Sequence, residues 1–247
     1  MRARSRSFST AKKRSSPLQA WTCRACLDRL RRLGSPRNVQ GMARFGIRAK
    51  RAYGVAKPRM RALAKRVGKS HRLAAALWRS GVHDARLLAA LVDQADRVTA
   101  AQMERWVREF DNWDVCDGTC GHLFSRTRFA WQKARAWSRR AREFEKRAGF
   151  VLMANLAVHD KAARDGPFLR LLPLIRRAAD DPRNFVRKAV NWALRQIGKR
   201  NARLNRAAIR EAQRIRRRSS STARWIAADA LRELRSEHVA RRWRRGK

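Results

Sequence analysis

The sequence predicts an all-α protein, and three observations carry that prediction. Gly and Pro are scarce, at 12 and 6 of 247 residues, while Ala, Leu and Arg, all strong helix formers, dominate. β-Branched runs are absent. Apolar residues recur three and four apart along most of the chain, the spacing of a helix that buries one face.

The charge balance narrows the partners. Sixty-two Lys and Arg oppose 19 Asp and Glu, a formal charge of +43. Such an excess adds self-repulsion to a compact state, so it points to a polyanionic partner. Nucleic acid fits first, because the basic residues are spread among amphipathic helices and aromatics. A membrane partner is not expected: no apolar run approaches the length of a span.

Residues 1–20 read as a disordered basic arm, rich in Arg, Ser and Lys. The arm lacks the apolar core of a secretory signal and resembles a transit peptide in composition. Residues 21–240 read as one domain and 241–247 as a basic tail. Within the domain a first helix places Cys26, Leu30 and Leu33 on one face and stops at Gly34-Ser35-Pro36. A Gly-punctuated stretch with Phe45 and Tyr53 follows, and Lys57-Pro58 opens a helix through Leu63 and Val67. Helices over 71–78 and 82–92 come next, separated at Gly81.

Thr99 and Gln102 form a capping-box pattern ahead of Met103, Trp106, Val107 and Phe110. Asp111 can cap the following helix, which carries Cys116, Cys120, Leu123 and Phe124 as its apolar stripe. Residues 129–144 read as one long basic helix and 147–159 as a helix apolar nearly all round, hence buried. Gly166-Pro167 starts another, and Asp181-Pro182 reads as a cap followed by proline at the first helical position. Two helices close the domain, over 204–216 and 222–234. Helix pairs of about 30 to 45 residues suggest an α-solenoid of HEAT-like repeats, with a compact helical bundle as the alternative.

Cys23-x-x-Cys26 with Cys116 and Cys120 could suggest zinc, but both pairs are helical and far apart, so no metal and no cofactor are expected. Cys116 and Cys120 fit better as small buried residues in a reducing cytoplasm. The five His show no ligand spacing.

Three places stand out from the basic background. Trp113 and Asp117, four apart, put an indole and a carboxylate on one helix face; core packing and an ion pair would also account for them. Lys188, Trp192, Arg195 and Lys199 form a basic stripe with one indole, suited to successive phosphates, or to solvent. Arg147 stands where the apolar helix begins and could hold an anion, or pair with Glu143 or Asp117.

The stretches GMARFGI, LWRSGVHDARLLA, WDVCD, FVLMANLAVHDK and FVRKAVNWALRQIGKRN, in this order, resemble the DNA alkylation repair enzymes, HEAT-like-repeat DNA glycosylases of the AlkD type. The resemblance covers about residues 21–239. It implies a concave basic face holding double-stranded DNA with alkylated bases, and hydrolytic release of cationic N3- and N7-alkylpurines without a base-flipping pocket. It also implies that Asp117, Trp113, Arg147 and Trp192 are the active-site group, with Arg147 clamping a phosphate. Phe45 would stand where the family can have a DNA-facing Tyr, beside Lys188, Arg195 and Lys199 as DNA-binding residues. A monomeric, monofunctional enzyme acting on the nucleoid follows. Two readings compete with it: a non-catalytic, structure-specific DNA-binding protein, and a helical scaffold for acidic proteins or RNA.

Overall fold

The computed structural model describes residues 21–244; the basic arm 1–20 and residues 245–247 lie outside the described residues. Fourteen α-helices and one 3-10 turn, with no strand, make up the described residues.

Helices α1 (Cys23–Leu33) and α2 (Pro36–Arg44) are capped by the hydroxyls of Thr22 and Ser35. The sequence reading missed α2, taking it as part of a Gly-punctuated stretch; Val39 and Met42 share one face of it, but it buries no residue. Helix α3 (Lys57–Val67) leads into α4 (His71–Arg79) and α5 (His83–Val92). In α6 (Ala100–Arg108) the Gln102 N–H reaches Thr99 at 3.1 Å, but the Gln102 side chain turns to Asp93 at 2.8 Å rather than completing the box. Helix α7 (Trp113–His122) is capped by Asn112, whose Oδ1 accepts from Val115 at 3.0 Å. Asp111, expected in that role, instead faces Arg86.

The long helix expected over 129–144 is broken. Helix α8 (Ala130–Trp137) ends, and α9 (Glu143–His159) starts after a turn in which Arg140 is drawn to Glu104 at 2.5 Å and Glu145 at 3.0 Å. Arg147 therefore lies a turn inside α9, not at its start. Helix α9 is buried along most of its length, as its composition predicts. It crosses the end of α8 so closely that a Cβ on Gly149 would lie 2.3 Å from the Ser138 backbone nitrogen. Helix α10 (Asp165–Arg177) precedes α11 (Asn184–Gly198). Asp181 does not cap α11, because its carboxylate is held by Lys146 and Arg183. Helices α12 (Ala202–Arg216), α13 (Ser221–Leu234) and α14 (Glu237–Arg244) complete the chain.

Helices α5, α7, α9, α11 and α13 lie in a row, each packed on the next, and α4, α8 and α12 back onto α5, α9 and α13. This neighbour-to-neighbour stacking is a solenoid, not a bundle. An aromatic layer fills the first half: Trp78 stacks on Trp106 at 4.0 Å, and Phe110, Phe124 and Trp137 continue it. The indole N–H groups of Trp78 and Trp137 reach Glu109 and Glu104 at 2.8 and 3.0 Å. Cys116 and Cys120 are fully buried.

Candidate active site

The row of helices brings the first halves of α7, α9 and α11 together. Asp117, four residues after Trp113 on α7, meets Arg147 of α9 in a bidentate pair: Nε to Oδ1 at 2.8 Å and Nη2 to Oδ2 at 2.7 Å. The remaining guanidinium nitrogen donates to the Phe185 carbonyl of α11 at 2.5 Å. One arginine thus ties three helices. Its side chain is 8% exposed and that of Asp117 22%, so the carboxylate keeps one open side. Burial pushes the Asp117 carboxyl up from its ordinary value, and the charge of Arg147 pulls against it. Burial works against the charge of Arg147 as well, but Asp117 outweighs it and raises the guanidinium from its ordinary value.

The position of Trp113 is set from outside its helix. Its indole N–H donates to the Phe45 carbonyl at 2.8 Å. The loop that follows Phe45 is anchored by Asp84, 2% exposed, whose carboxylate accepts from the backbone of Tyr53, Gly54 and Val55 at 2.6, 3.3 and 2.8 Å. Gly46 has φ +73°, and a Cβ there would come 2.8 Å from the Phe185 ring. Only glycine allows that turn and that approach. Phe45 itself is 69% exposed.

The result is an open cleft of about 460 Å³ lined by Arg44, Phe45, Gly46, Trp113, Asp117, Arg147, Asn184, Phe185 and Lys188. A neighbouring one of about 630 Å³ continues past Phe45 and Trp113 to Arg37, Gln40, Lys57 and Asp114. Asp114, which the helix dipole alone could have explained, pairs with Lys57 at 2.6 Å and His83 at 3.2 Å. Burial works against its ionisation, yet His83 and Lys57 hold its carboxyl below the ordinary value.

Five of the residues singled out in the sequence therefore share one cleft: Trp113, Asp117, Arg147, Lys188 and Phe45. The other three do not line it. Trp192 sits one turn beyond Lys188, half-buried against the core, with its N–H 3.0 Å from Gln196 Oε1 when that amide is turned to satisfy both groups. Arg195 and Lys199 both reach Glu233 of α13, at 2.5 and 2.6 Å. The expected cationic stripe thus faces acids over its second half. Arg147, expected to meet a phosphate, directs two of its nitrogens at Asp117. Sequence reasoning missed Phe185 and Asp84. A backbone carbonyl has no sequence signature, and an Asp in the first turn of α5 reads as a helix-dipole partner.

Residues 26–234 match the DNA alkylation repair enzyme family. The chain belongs to that family. Among solved structures, a protein from a family related to the HEAT-like repeat DNA glycosylases, with affinity for branched DNA structures, is similar at 18% identity and a TM-score of 0.72. The match covers 86% of this DNA alkylation repair family member and 95% of the other chain. The likeness shows a shared HEAT-like repeat fold. No curated protein matches the chain. Among its described residues no helix is long and apolar enough to cross a membrane.

Proposed function

We propose that this protein is a monofunctional DNA glycosylase that hydrolyses the N-glycosidic bond of cationic N3- and N7-alkylpurines in duplex DNA. The observation that carries this reading is the Asp117 carboxylate, fixed by Arg147 on one side and open to a basic cleft beside Trp113 on the other. An alkylated purine already carries its positive charge and needs no protonation to leave. What remains is the charge that develops on the deoxyribose and the water that adds to it. A carboxylate held at a fixed position stabilises that charge without reorganising, and can accept the proton of the attacking water. The face of Trp113 adds a cation–π attraction and excludes bulk water. Arg147 acts through Asp117 as a positioning residue, and Lys188, exposed at the rim, is the better candidate for a phosphate.

The test is release of 7-methylguanine from methylated duplex DNA by wild type and Asp117→Asn. Release should fall by about 10²–10³-fold, the range for removing one preorganised electrostatic group, with binding retained. Release at the wild-type rate would sink the mechanism. A second reading, structure-specific DNA binding without catalysis, is favoured by two observations: both Asp117 oxygens are engaged by Arg147, and the solved relative has affinity for branched DNA. On that reading wild type releases no base and prefers branched DNA to methylated duplex.

A further inference from the structure

Among the described residues the exposed large hydrophobics are Val39, Phe45 and Trp225. Phe45 belongs to the cleft; Trp225, on the second turn of α13, belongs to nothing described so far. It is 40% exposed, and the Arg187 guanidinium lies 5.0 Å from its ring centroid. Arg187 is held in turn by Asn184, to which its Nη2 donates at 3.2 Å, and Asn184 lines the cleft beside Lys188. A continuous path of side chains therefore runs from the cleft edge at Asn184 through Arg187 to the indole.

A single exposed apolar residue on a surface is ordinary. This one differs in two respects. The Arg187 guanidinium over its ring makes a cation–π contact that favours this placement of the indole before a second flat group arrives. A cation, Arg187, stands beside it next to the cleft assigned to DNA, while Asp229, one turn further along α13, is taken up by Arg195 and Arg232. A preorganised indole beside a cation recognises the π-face of a base, and bases inside a duplex do not offer theirs.

We propose that Trp225, held by Arg187, is a stacking platform for an unpaired nucleobase of a DNA strand leaving the cleft. The proposal rests on the DNA-binding part of the function proposed above, and not on hydrolysis. It gives the protein a preference for DNA with an unpaired base beside the duplex it grips.

The test uses the full chain and three labelled DNAs: a plain duplex, the duplex with a short single-stranded flap, and the same flap built of abasic spacers. Wild type should bind the base-bearing flap roughly 5- to 150-fold more tightly than the abasic one, the range for one base–aromatic stack. Trp225→Ala should erase that difference while leaving duplex affinity unchanged, and Trp225→Phe should keep most of it. The proposal is overturned if wild type does not distinguish the two flaps, if Trp225→Ala still does, or if Trp225→Ala weakens all three DNAs equally. Base release from methylated duplex, measured in parallel, separates the two proposals. Release by an enzyme blind to flap bases removes the platform alone, and flap discrimination without release removes the glycosylase alone.

Discussion

Replacing Arg147 by Lys separates the two jobs an arginine could have here. Lysine keeps the charge but has one donor atom, which cannot bridge both Asp117 oxygens and also reach the Phe185 carbonyl. At least two hydrogen bonds of a buried charged group are lost, at about 1.5–3 kcal/mol each, so roughly 3–6 kcal/mol of stability goes. For a domain of this size that lowers Tm by roughly 6–24 °C. If Arg147 positions Asp117, base release falls while affinity for undamaged duplex and its salt dependence stay put. If it clamps a phosphate, affinity falls and the slope of log K against log salt shrinks by about one. Calorimetry and a salt titration of duplex binding read the two. An unchanged Tm with a shallower salt slope would refute the positioning argument.

Three further expectations concern the frame. Asp84→Ala strips a buried acceptor from three backbone amides, so amide exchange at Tyr53 and Val55 should accelerate, with at least about 3 kcal/mol lost in urea unfolding; unchanged exchange would contradict the anchoring role. Gly149→Ala drives a methyl into the Ser138 backbone and should cost about 1–3 kcal/mol or more, read as a lowered Tm, whereas an unaltered Tm would mean α8 and α9 separate freely. Burial alone would raise the Glu104 carboxyl, but hydrogen bonds from Lys133, Arg140 and Trp137 outweigh it and bring it down to about 2. A depressed carboxyl stabilises the fold above its unfolded pKa of about 4.3, and that stability drains as pH falls toward 2. Wild type should thus lose stability steeply between pH 4.5 and 2, and Glu104→Gln should flatten that limb; parallel acid curves would count against it.

Much of this was legible in the sequence, for identifiable reasons. Helices with an apolar stripe declared themselves through spacing, so α5 and α7 fell where the pattern put them, while the buried α9 and α11 were found with displaced starts, at Glu143 and Asn184. Helix α2 has no buried side, and its short apolar pattern, Val39 and Met42, was hidden among glycines and cations. The break between α8 and α9 is imposed by Glu104 and Glu145 acting on Arg140, contacts that span up to 36 residues and have no local signature. In the site, the Trp113–Asp117 face follows from helical geometry, and Arg147 was visible as an anomaly. Its partner was not, because a strip of sequence does not say which anion an arginine meets. The carbonyl of Phe185 and the loop held by Asp84 lie beyond any pattern of side-chain types.

The acids along the row of helices change what the +43 charge means for a polyanion. Asp117, Asp181, Asp229 and Glu233 already answer Arg147, Lys146, Arg195 and Lys199. A phosphate arriving at Arg195 would exchange one anion for another, and an exchange of that kind frees no small ion from the protein side. It would also leave Glu233 facing the newcomer. The binding surface therefore has excluded lanes as well as attractive ones, and the cleft where Lys188 is exposed is the more favourable place for a strand to settle. Counting phosphates from the formal charge overstates the grip; the carboxylates set the path.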